Sequence, residues 1–112
     1  MPLLTIRTNL KLNNKQSIAE KASLTVANIL GKPERYVMVH VEDEQCLIFG
    51  GENDPCALLE LKSLGLPENI TADISARLCE FMNIEARIDA SRIYIEFSSP
   101  ERHMWGWDQR TF

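Results

Sequence analysis

Apolar and polar residues near the start of the chain alternate in a way that predicts a strand followed by a helix. Leu4 and Ile6 are separated by polar residues, which is typical of a strand with one buried face. Asn13 and Asn14 supply candidate N-cap residues for a helix that ends at Gly31. Its apolar positions recur at helical spacing and are Ile18, Ala22, Val26 and Ile29.

Two strands are predicted after this helix. The first covers residues 36–42, and its side chains are apolar on both faces, with Tyr36 and Met38 on one face and three valines on the other. The second is short, covering residues 46–49 between a turn at 43–45 and a pair of glycines. The first half of the chain therefore predicts a β-α-β-β block.

The second half repeats this order of elements. A strand is predicted over residues 57–63, and Gly65 and Pro67 precede a second helix. The apolar stripe of that helix consists of Ile70, Ile74, Leu78, Phe81 and Met82. A returning strand is predicted over residues 92–97. Aligning KPERYVMVHV with DASRIYIEF places Arg35 on Arg92, an offset of 57 residues.

The repeated pattern predicts a single α/β (α+β) domain over residues 1–112. A duplicated β-α-β unit with right-handed crossovers gives a four-stranded mixed sheet with two helices on one face and short extra strands. Because two helices cover only one face, the other face is predicted to need a partner, and a homo-oligomer follows. The Trp-Gly-Trp segment at 105–107 is a candidate strand for the sheet edge of a neighbouring chain.

Composition and charge exclude several functional classes. The chain is 45% hydrophobic and 25% charged, as in globular proteins, and its net charge is −4. Acidic and basic residues are mixed along its length, so neither nucleic acid nor a membrane surface is expected as a partner. No secretory leader pattern and no run of about 18 apolar residues is present. We expect a cytoplasmic protein; any release from the cell would occur without a signal peptide.

The cysteine and histidine residues give no sign of a metal or redox site. Cys46, Cys56 and Cys79 form an odd set without metal-ligand or redox spacing, so ordinary buried thiols are expected. His40 and His103 are far apart in sequence and have no acidic or cysteine cluster beside them. His40 is expected to lie in the core or at an interface, and no metal is predicted.

Pro2 is the most unusual chemical feature of the sequence. A small second residue permits removal of Met1, which would leave proline as a free secondary amine. Desolvation and a nearby cation such as Lys32 would lower the amine pKa below its ordinary value of about 7.7–8 and make it a base at neutral pH. Two alternatives remain from the residues alone: Pro2 merely begins a strand, and Lys32 is a solvated lysine at a helix end.

Seven segments along the whole chain carry a family resemblance. They are residues 2–9, GKPERYVMVHV at 31–41, FGG at 49–51, PCAL at 55–58, SLG at 63–65, SRIYIEF at 91–97 and WGW at 105–107. In their order and spacing they resemble the macrophage migration inhibitory factor family of the tautomerase superfamily, which includes D-dopachrome tautomerase. The resemblance implies a homotrimer with active sites at subunit boundaries and a keto–enol tautomerase that acts on phenylpyruvate-like α-keto acids without a metal or organic cofactor.

The resemblance also implies roles for individual residues. Pro2 is the general acid/base, Lys32 binds the substrate carboxylate or polarises oxygen, and the backbone amide of Leu64 donates to the substrate. Pocket walls are implied at Tyr36, Tyr94 and Trp105. Tyr94 is equally compatible with an ordinary interface aromatic. If Met1 is retained, the Pro2 nitrogen is an amide and the chain is predicted to be inactive.

Three positions depart from the family pattern. Glu96 replaces a frequent asparagine, so a carboxylate either borders the pocket of the adjacent subunit and raises the amine pKa, or points to Arg92 or solvent. Leu59 replaces a second cysteine, which removes a Cys-x-x-Cys pair and any thiol–disulfide activity. Trp105 replaces a smaller aliphatic residue, and this puts the substrate preference in doubt.

Two other functions are compatible with the sequence. One is a non-enzymatic, cytokine-like interaction protein that retains the trimer and acts through its outer surface on a protein partner that the sequence does not name. The other is a ferredoxin-like small-molecule-binding module in which the proline is incidental.

Overall fold

The structure, a computed structural model, describes all residues from 1 to 112. Its helices and strands are β1 (Leu3–Thr8), α1 (Lys15–Leu30), β2 (Met38–Glu42), β3 (Ala57–Lys62), α2 (Thr71–Ala86), β4 (Ile93–Ser98), β5 (Gly106–Trp107) and β6 (Arg110–Thr111). Neither helix has the length and apolar character that crossing a bilayer requires.

Strands β1 to β4 form one mixed sheet in the order β2-β1-β3-β4. Strands β1 and β2 are parallel and are joined through α1, and β3 and β4 are parallel and are joined through α2. The two units meet where β1 and β3 pair in antiparallel fashion. This confirms the duplicated β-α-β unit, and the short extra strands are β5 and β6, which pair as a hairpin.

Both helices pack against one face of the sheet. The inward side chains of β1 and β3, Leu4, Ile6, Leu59 and Leu61, are at most 1% exposed. They share a core with the predicted helix stripes, of which Ile18, Ala22, Val26, Ile74, Leu78, Phe81 and Met82 are buried. Ile29 and Ile70 lie at the edge of this core and are partly buried. The helical spacing therefore predicted the packing face of both helices correctly.

The ends of α1 illustrate what the sequence could and could not predict. Gly31 adopts a left-handed conformation with φ 63°, as predicted for the residue after a helix. Lys32 then donates its backbone N–H to the Ala27 carbonyl at 3.0 Å, which holds it directly beyond the helix. Asn14 occupies the N-cap position, but its side chain makes no capping hydrogen bond.

Three predicted element boundaries were wrong. Residues 46–49 do not form a strand, because they pair with none of β1 to β4 and make only a bridge from Phe49 to Glu52. Residues 34–36 form a 3₁₀ turn after Pro33, so β2 begins at Met38 instead of residue 36. A second 3₁₀ turn after Pro67 delays the start of α2 to Thr71.

The repeat has an offset of 56 residues and not 57. The 3₁₀ turns Glu34–Tyr36 and Ala90–Arg92 correspond, as do the starts of the two helices at Lys15 and Thr71. Tyr36, and not Arg35, is therefore equivalent to Arg92. A shift of one residue matters in a strand, because it exchanges the buried and exposed faces.

The open face of the sheet is more polar than the sequence suggested. Its apolar residues are Leu3, Met38, Leu58 and Tyr94, and its polar ones are Thr5, Arg7, His40, Glu42, Glu60, Lys62, Glu96 and Ser98. Arg7 bridges Glu42 at 3.2 Å and Glu60 at 3.3 Å across neighbouring strands. The prediction of two apolar faces was wrong for this strand because Tyr36 lies outside β2 and His40 takes the central position.

Candidate functional site

The N-terminus lies between two cavities at one end of the sheet. The first, which we call the N-terminal cavity, has a volume of about 350 Å³ and is lined by Met1, Pro2, Leu3, Arg35, Tyr36, Val37, Met38, Trp105, Gly106 and Trp107. The second, the Lys32 cavity, has a volume of about 530 Å³ and is lined by Met1, Lys32, Pro33, Tyr36, Leu64, Gly65, Arg102, Trp107, Arg110 and Phe112. Met1, Tyr36 and Trp107 line both.

Pro2 is held at the start of β1. Its side chain is almost fully buried, and its carbonyl accepts a hydrogen bond from the Met38 backbone N–H at 3.0 Å. The bond ties Pro2 to the first residue of β2, so its position depends on the parallel pairing of β1 and β2. With Met1 in place the Pro2 nitrogen is a tertiary amide, which has no basic lone pair.

The electrostatic surroundings of the N-terminus favour a neutral amine. The pKa of the Met1 ammonium is lowered from its ordinary value of 8.0, first by desolvation and then by the positive charges of Lys32 and Arg102. All three effects disfavour the protonated amine. The Pro2 nitrogen is one residue further along the chain, so an amine there would experience the same cations.

Lys32 and Leu64 contact each other in the wall of the Lys32 cavity, which Met1 also lines. The Lys32 ammonium donates to the Leu64 carbonyl at 3.1 Å. The backbone N–H of Leu64 makes no hydrogen bond within the chain, although the residue is only 6% exposed. A buried N–H without a partner is uncommon, and Leu64 lines the Lys32 cavity. The structure thus brings two of the predicted site residues, Lys32 and Leu64, into contact.

Aromatic side chains from the C-terminal segment form the walls. Tyr36 packs edge-on against Trp107 with ring centroids 6.1 Å apart, and Trp107 stacks on Phe112 at 6.0 Å. Trp105 lines the N-terminal cavity. Tyr36 and Trp105 were predicted at the site; Trp107, Phe112, Arg102 and Arg110 were missed. Only the concentration of aromatic residues near the C-terminus signalled them, and their position depends on the β5–β6 hairpin.

Tyr94 and Glu96 lie away from Pro2 within the chain. Tyr94 is opposite Leu58, which is opposite Arg7, five residues from Pro2. This corresponds to about 17 Å along the strands. Tyr94 is 67% exposed and packs on Phe49 with centroids 4.8 Å apart. The structure therefore does not unite all the predicted site residues in a single subunit.

Glu96 has no ion-pair partner within the chain. It is exposed on the open face of the sheet opposite Glu60, whose carboxylate is paired with Arg7. Arg92 is not its partner, because the Arg92 guanidinium donates to four backbone carbonyls, those of Phe49, Glu52, Asp54 and Pro55. Of the alternatives from the sequence, the contact of Glu96 with Arg92 is therefore wrong.

The remaining candidates for chemistry are dispersed. His40 is exposed and lies 3.2 Å from Glu42, so of its two predicted positions the core is wrong and an interface stays a prediction; His103 lies 3.5 Å from Glu101. No group of three or more His, Cys, Asp or Glu side chains is arranged to hold a metal ion. Cys56 is buried and Cys79 half-buried, but Cys46 is exposed, which corrects the expectation of three buried thiols.

Comparison with known proteins assigns the family. The family model "Macrophage migration inhibitory factor (MIF)" matches residues 1–112. A macrophage migration inhibitory factor homolog from Brugia malayi is 40% identical, with 100% of this chain and 99% of that protein covered. The solved macrophage migration inhibitory factor from Trichinella spiralis is 35% identical with a TM-score of 0.93, covering 98% of this chain and 99% of that one.

A bacterial relative has the same fold. The solved macrophage migration inhibitory factor homologue from Prochlorococcus marinus is 32% identical with a TM-score of 0.93, and 98% of each chain is covered. Similarity over the whole length in both sequence and structure means that the resemblance extends beyond a shared architecture. The chain belongs to the macrophage migration inhibitory factor family, within the tautomerase-fold superfamily.

Proposed function

We propose that this protein is a keto–enol tautomerase for phenylpyruvate-like α-keto acids and that its catalytic base is the Pro2 amine after removal of Met1. The observation that carries the proposal is the position of the N-terminus. Met1 lies between the two cavities, beside Lys32 and Tyr36. Its departure would join these cavities and place a secondary amine at their junction.

The low amine pKa supports the role of a base. A base must be unprotonated to remove a proton from carbon, and the best pKa for this lies near the working pH. With Met1 attached, burial, Lys32 and Arg102 lower the pKa of the Met1 ammonium from 8.0, and the Pro2 amine would lie beside the same cations after processing. In the proposed reaction the amine takes a proton from the carbon beside the keto group and returns it to the oxygen. A positioned base of this kind contributes about 10²–10⁴-fold to the rate.

Lys32 and Leu64 would stabilise the charge that develops on the substrate. As the carbon loses its proton, negative charge moves to the keto oxygen. The Lys32 ammonium and the unpartnered Leu64 N–H are both donors at the Lys32 cavity. Lys32 would exchange its bond to the Leu64 carbonyl for the substrate carboxylate or oxygen, while Tyr36, which lines both cavities, packs against the aromatic ring.

A homotrimer would complete the site. Both helices lie on the other face of the sheet, and on the open face Tyr94 remains 67% exposed although its ring packs on Phe49. Relatives with the same fold favour an oligomeric assembly. In our proposal a neighbouring subunit brings its Tyr94 and Glu96 to the Pro2 end of this one, so each site lies at a subunit boundary.

Removal of the proline tests the proposal. Tautomerisation of phenylpyruvate is measured for the processed wild type and for Pro2→Ala, and intact mass verifies that Met1 is absent from both. Loss of most activity in the variant supports the role of Pro2, whereas equal rates refute it. The control is the same chain with Met1 retained, which should be inactive because its Pro2 nitrogen is an amide.

The alternative is a non-enzymatic interaction protein with the same fold. The names of the curated relatives refer to inhibition of macrophage migration, which describes those proteins. A chain that keeps Met1 retains the fold but lacks the free amine of Pro2, because that nitrogen is an amide. If processed protein is inactive toward phenylpyruvate and a pull-down recovers a specific protein partner, this alternative replaces the enzyme.

A further inference from the structure

The Lys32 cavity is lined by three basic side chains and no acidic one. Lys32 follows α1, while Arg102 and Arg110 come from the C-terminal segment. The chain as a whole has a net charge of −4. Positive charge is therefore concentrated at this cavity against the overall charge of the protein, and such an arrangement attracts anions.

No carboxylate of the chain neutralises these cations by a close hydrogen bond. Lys32 donates to a carbonyl, and the Arg102 side chain makes neither an ion pair nor a hydrogen bond. Arg110 lies over the Trp107 ring with its guanidinium carbon 4.8 Å from the centroid. Its nearest carboxylate, that of Asp108, is 3.9 Å away, which is longer than a hydrogen bond.

The basic residues are close to the reacting position. Met1 lines the same cavity, and the charges of Lys32 and Arg102 both lower the pKa of its ammonium. A carboxylate has two oxygens, so the single carboxylate of a simple α-keto acid would leave at least one of the three cations without a direct partner. The stacked rings of Trp107 and Phe112, 6.0 Å apart, lie in the wall of the same cavity and offer an apolar surface to the body of a ligand.

From this arrangement we infer that the substrate is an enolisable 2-oxo acid with a second anionic group at its far end. Lys32 binds the 2-oxo acid carboxylate, and Arg102 and Arg110 bind the remote anion, which is a carboxylate or a phosphate. The guanidinium fork suits either group. This inference rests on the proposed function and adds a substrate class to it.

Three phenylpyruvates that differ only at the para position test the inference. They carry a carboxylate, a phosphate ester or a neutral methyl group, and kcat/KM is measured for each with processed wild-type enzyme. We expect at least one anionic substrate to exceed the methyl compound by about tenfold, which corresponds to one charge-assisted hydrogen bond. The substrate with the higher kcat/KM relative to the methyl compound, carboxylate or phosphate ester, identifies the anion that the site prefers.

Variants test whether Arg102 and Arg110 cause the preference for the anionic substrates. In Arg102→Gln and Arg110→Gln the ratio of anionic to methyl substrate should fall toward one. In Arg77→Gln, an exposed arginine on α2 outside the cavity, the ratio should stay at the wild-type value. Added salt should also reduce the wild-type ratio, since the Arg102 and Arg110 side chains are reached by solvent.

A binding measurement separates this inference from the proposed function. Calorimetry compares 4-carboxyphenylacetate with 4-methylphenylacetate, which bind without any need for turnover. If no substrate reacts but the dianion binds about tenfold more tightly, the proposed function fails and the anion site stands. If turnover occurs but the anionic and methyl compounds are equivalent in both measurements, the inference is overturned.

Discussion

At the scale of single residues, Lys32 has two proposed roles. It contacts Leu64, whose N–H is a proposed substrate donor, and its charge acts on the amine at the N-terminus. Its ammonium donates to the Leu64 carbonyl at 3.1 Å, and its charge lowers the pKa of the N-terminal amine. Removing that charge should therefore change two observables. Binding and charge stabilisation should weaken, and the amine should become easier to protonate.

We predict that Lys32→Gln lowers kcat/KM for phenylpyruvate and moves its pH profile. The neutral amine is the base, so activity is lost as the pH falls through the pKa of the Pro2 amine, which the positive charge of a nearby Lys32 lowers. Loss of the lysine charge raises that pKa, and the acidic limb should shift to higher pH. We expect kcat/KM to fall about 10- to 100-fold, the value of one charge-assisted hydrogen bond. A lower rate with an unshifted limb would mean that Lys32 does not influence the base.

Glu96 should act on the same amine with the opposite sign. If the neighbouring subunit brings this carboxylate to the pocket, it favours the protonated amine and repels an acidic substrate. Glu96→Asn should then increase kcat/KM for phenylpyruvate by up to about fivefold, as for a solvent-exposed charge interaction. Steady-state kinetics measure the change, with Glu80→Gln on α2 as the control. Unchanged kinetics would place Glu96 toward solvent.

At the scale of elements, Asp43 connects the start of α1 to the end of β2. Its carboxylate accepts hydrogen bonds from the Lys15 ammonium at 2.9 Å and from the Leu12 backbone N–H at 3.0 Å. Asn14, the predicted cap, makes no such contact. The sequence placed a polar residue correctly at the helix start, but the residue that stabilises this end lies 31 positions from Leu12. Such a long-range contact has no local signal.

The bonds to Asp43 predict a dependence of stability on acid. Lys15, and then the Leu12 N–H, lower the Asp43 pKa from its ordinary value of 3.8. The stabilisation is therefore complete above that value and is lost as the pH falls through the lower folded pKa. Asp43→Asn should reduce the free energy of unfolding at pH 7 and weaken its fall below pH 3.8. Urea unfolding across this range tests it; equal curves for variant and wild type would contradict it.

At the scale of the whole molecule, the predicted site residues lie at two ends of the sheet. Pro2, Lys32 and Leu64 surround the N-terminus, whereas Tyr94 is about 17 Å away along the strands. The proposed trimer joins them across a subunit boundary, so a site would take its proline and its Tyr94 from different chains. In a site contained in a single chain, by contrast, Pro2 and Tyr94 would both come from that chain.

Mixed trimers test the shared site. Pro2→Ala and Tyr94→Ala chains should each be weakly active toward phenylpyruvate when assembled alone. When the two are unfolded together and refolded, some boundaries combine an intact Pro2 with an intact Tyr94, and part of the activity should return. Mixing without unfolding serves as the control. Activity that never exceeds the sum of the separate variants would contradict a shared site.

The hydrophobic pattern was sufficient for the duplicated strand–helix–strand units, both packing stripes and the turn at Gly31, because these follow from local spacing and backbone preference. It failed for residues 46–49, because a strand also requires a pairing partner and these residues pair with neither edge strand of the sheet, β2 or β4. Pro2 and Lys32 were candidates from their own chemistry and gained roles through the family resemblance, Leu64 was predicted through the resemblance alone, and the fold brings the three around the N-terminus.

Only the tertiary structure decided which cations lie beside the N-terminus in the Lys32 cavity. Arg102 and Arg110 reach the Lys32 cavity because β5 and β6 form a hairpin beside Tyr36, and no spacing in the sequence encodes this contact. The sequence alone determined what each residue can do chemically and which face of each helix is buried. The fold determined which groups are close enough for their charges to act on one amine, because electrostatic interactions depend on distance in space and not along the chain.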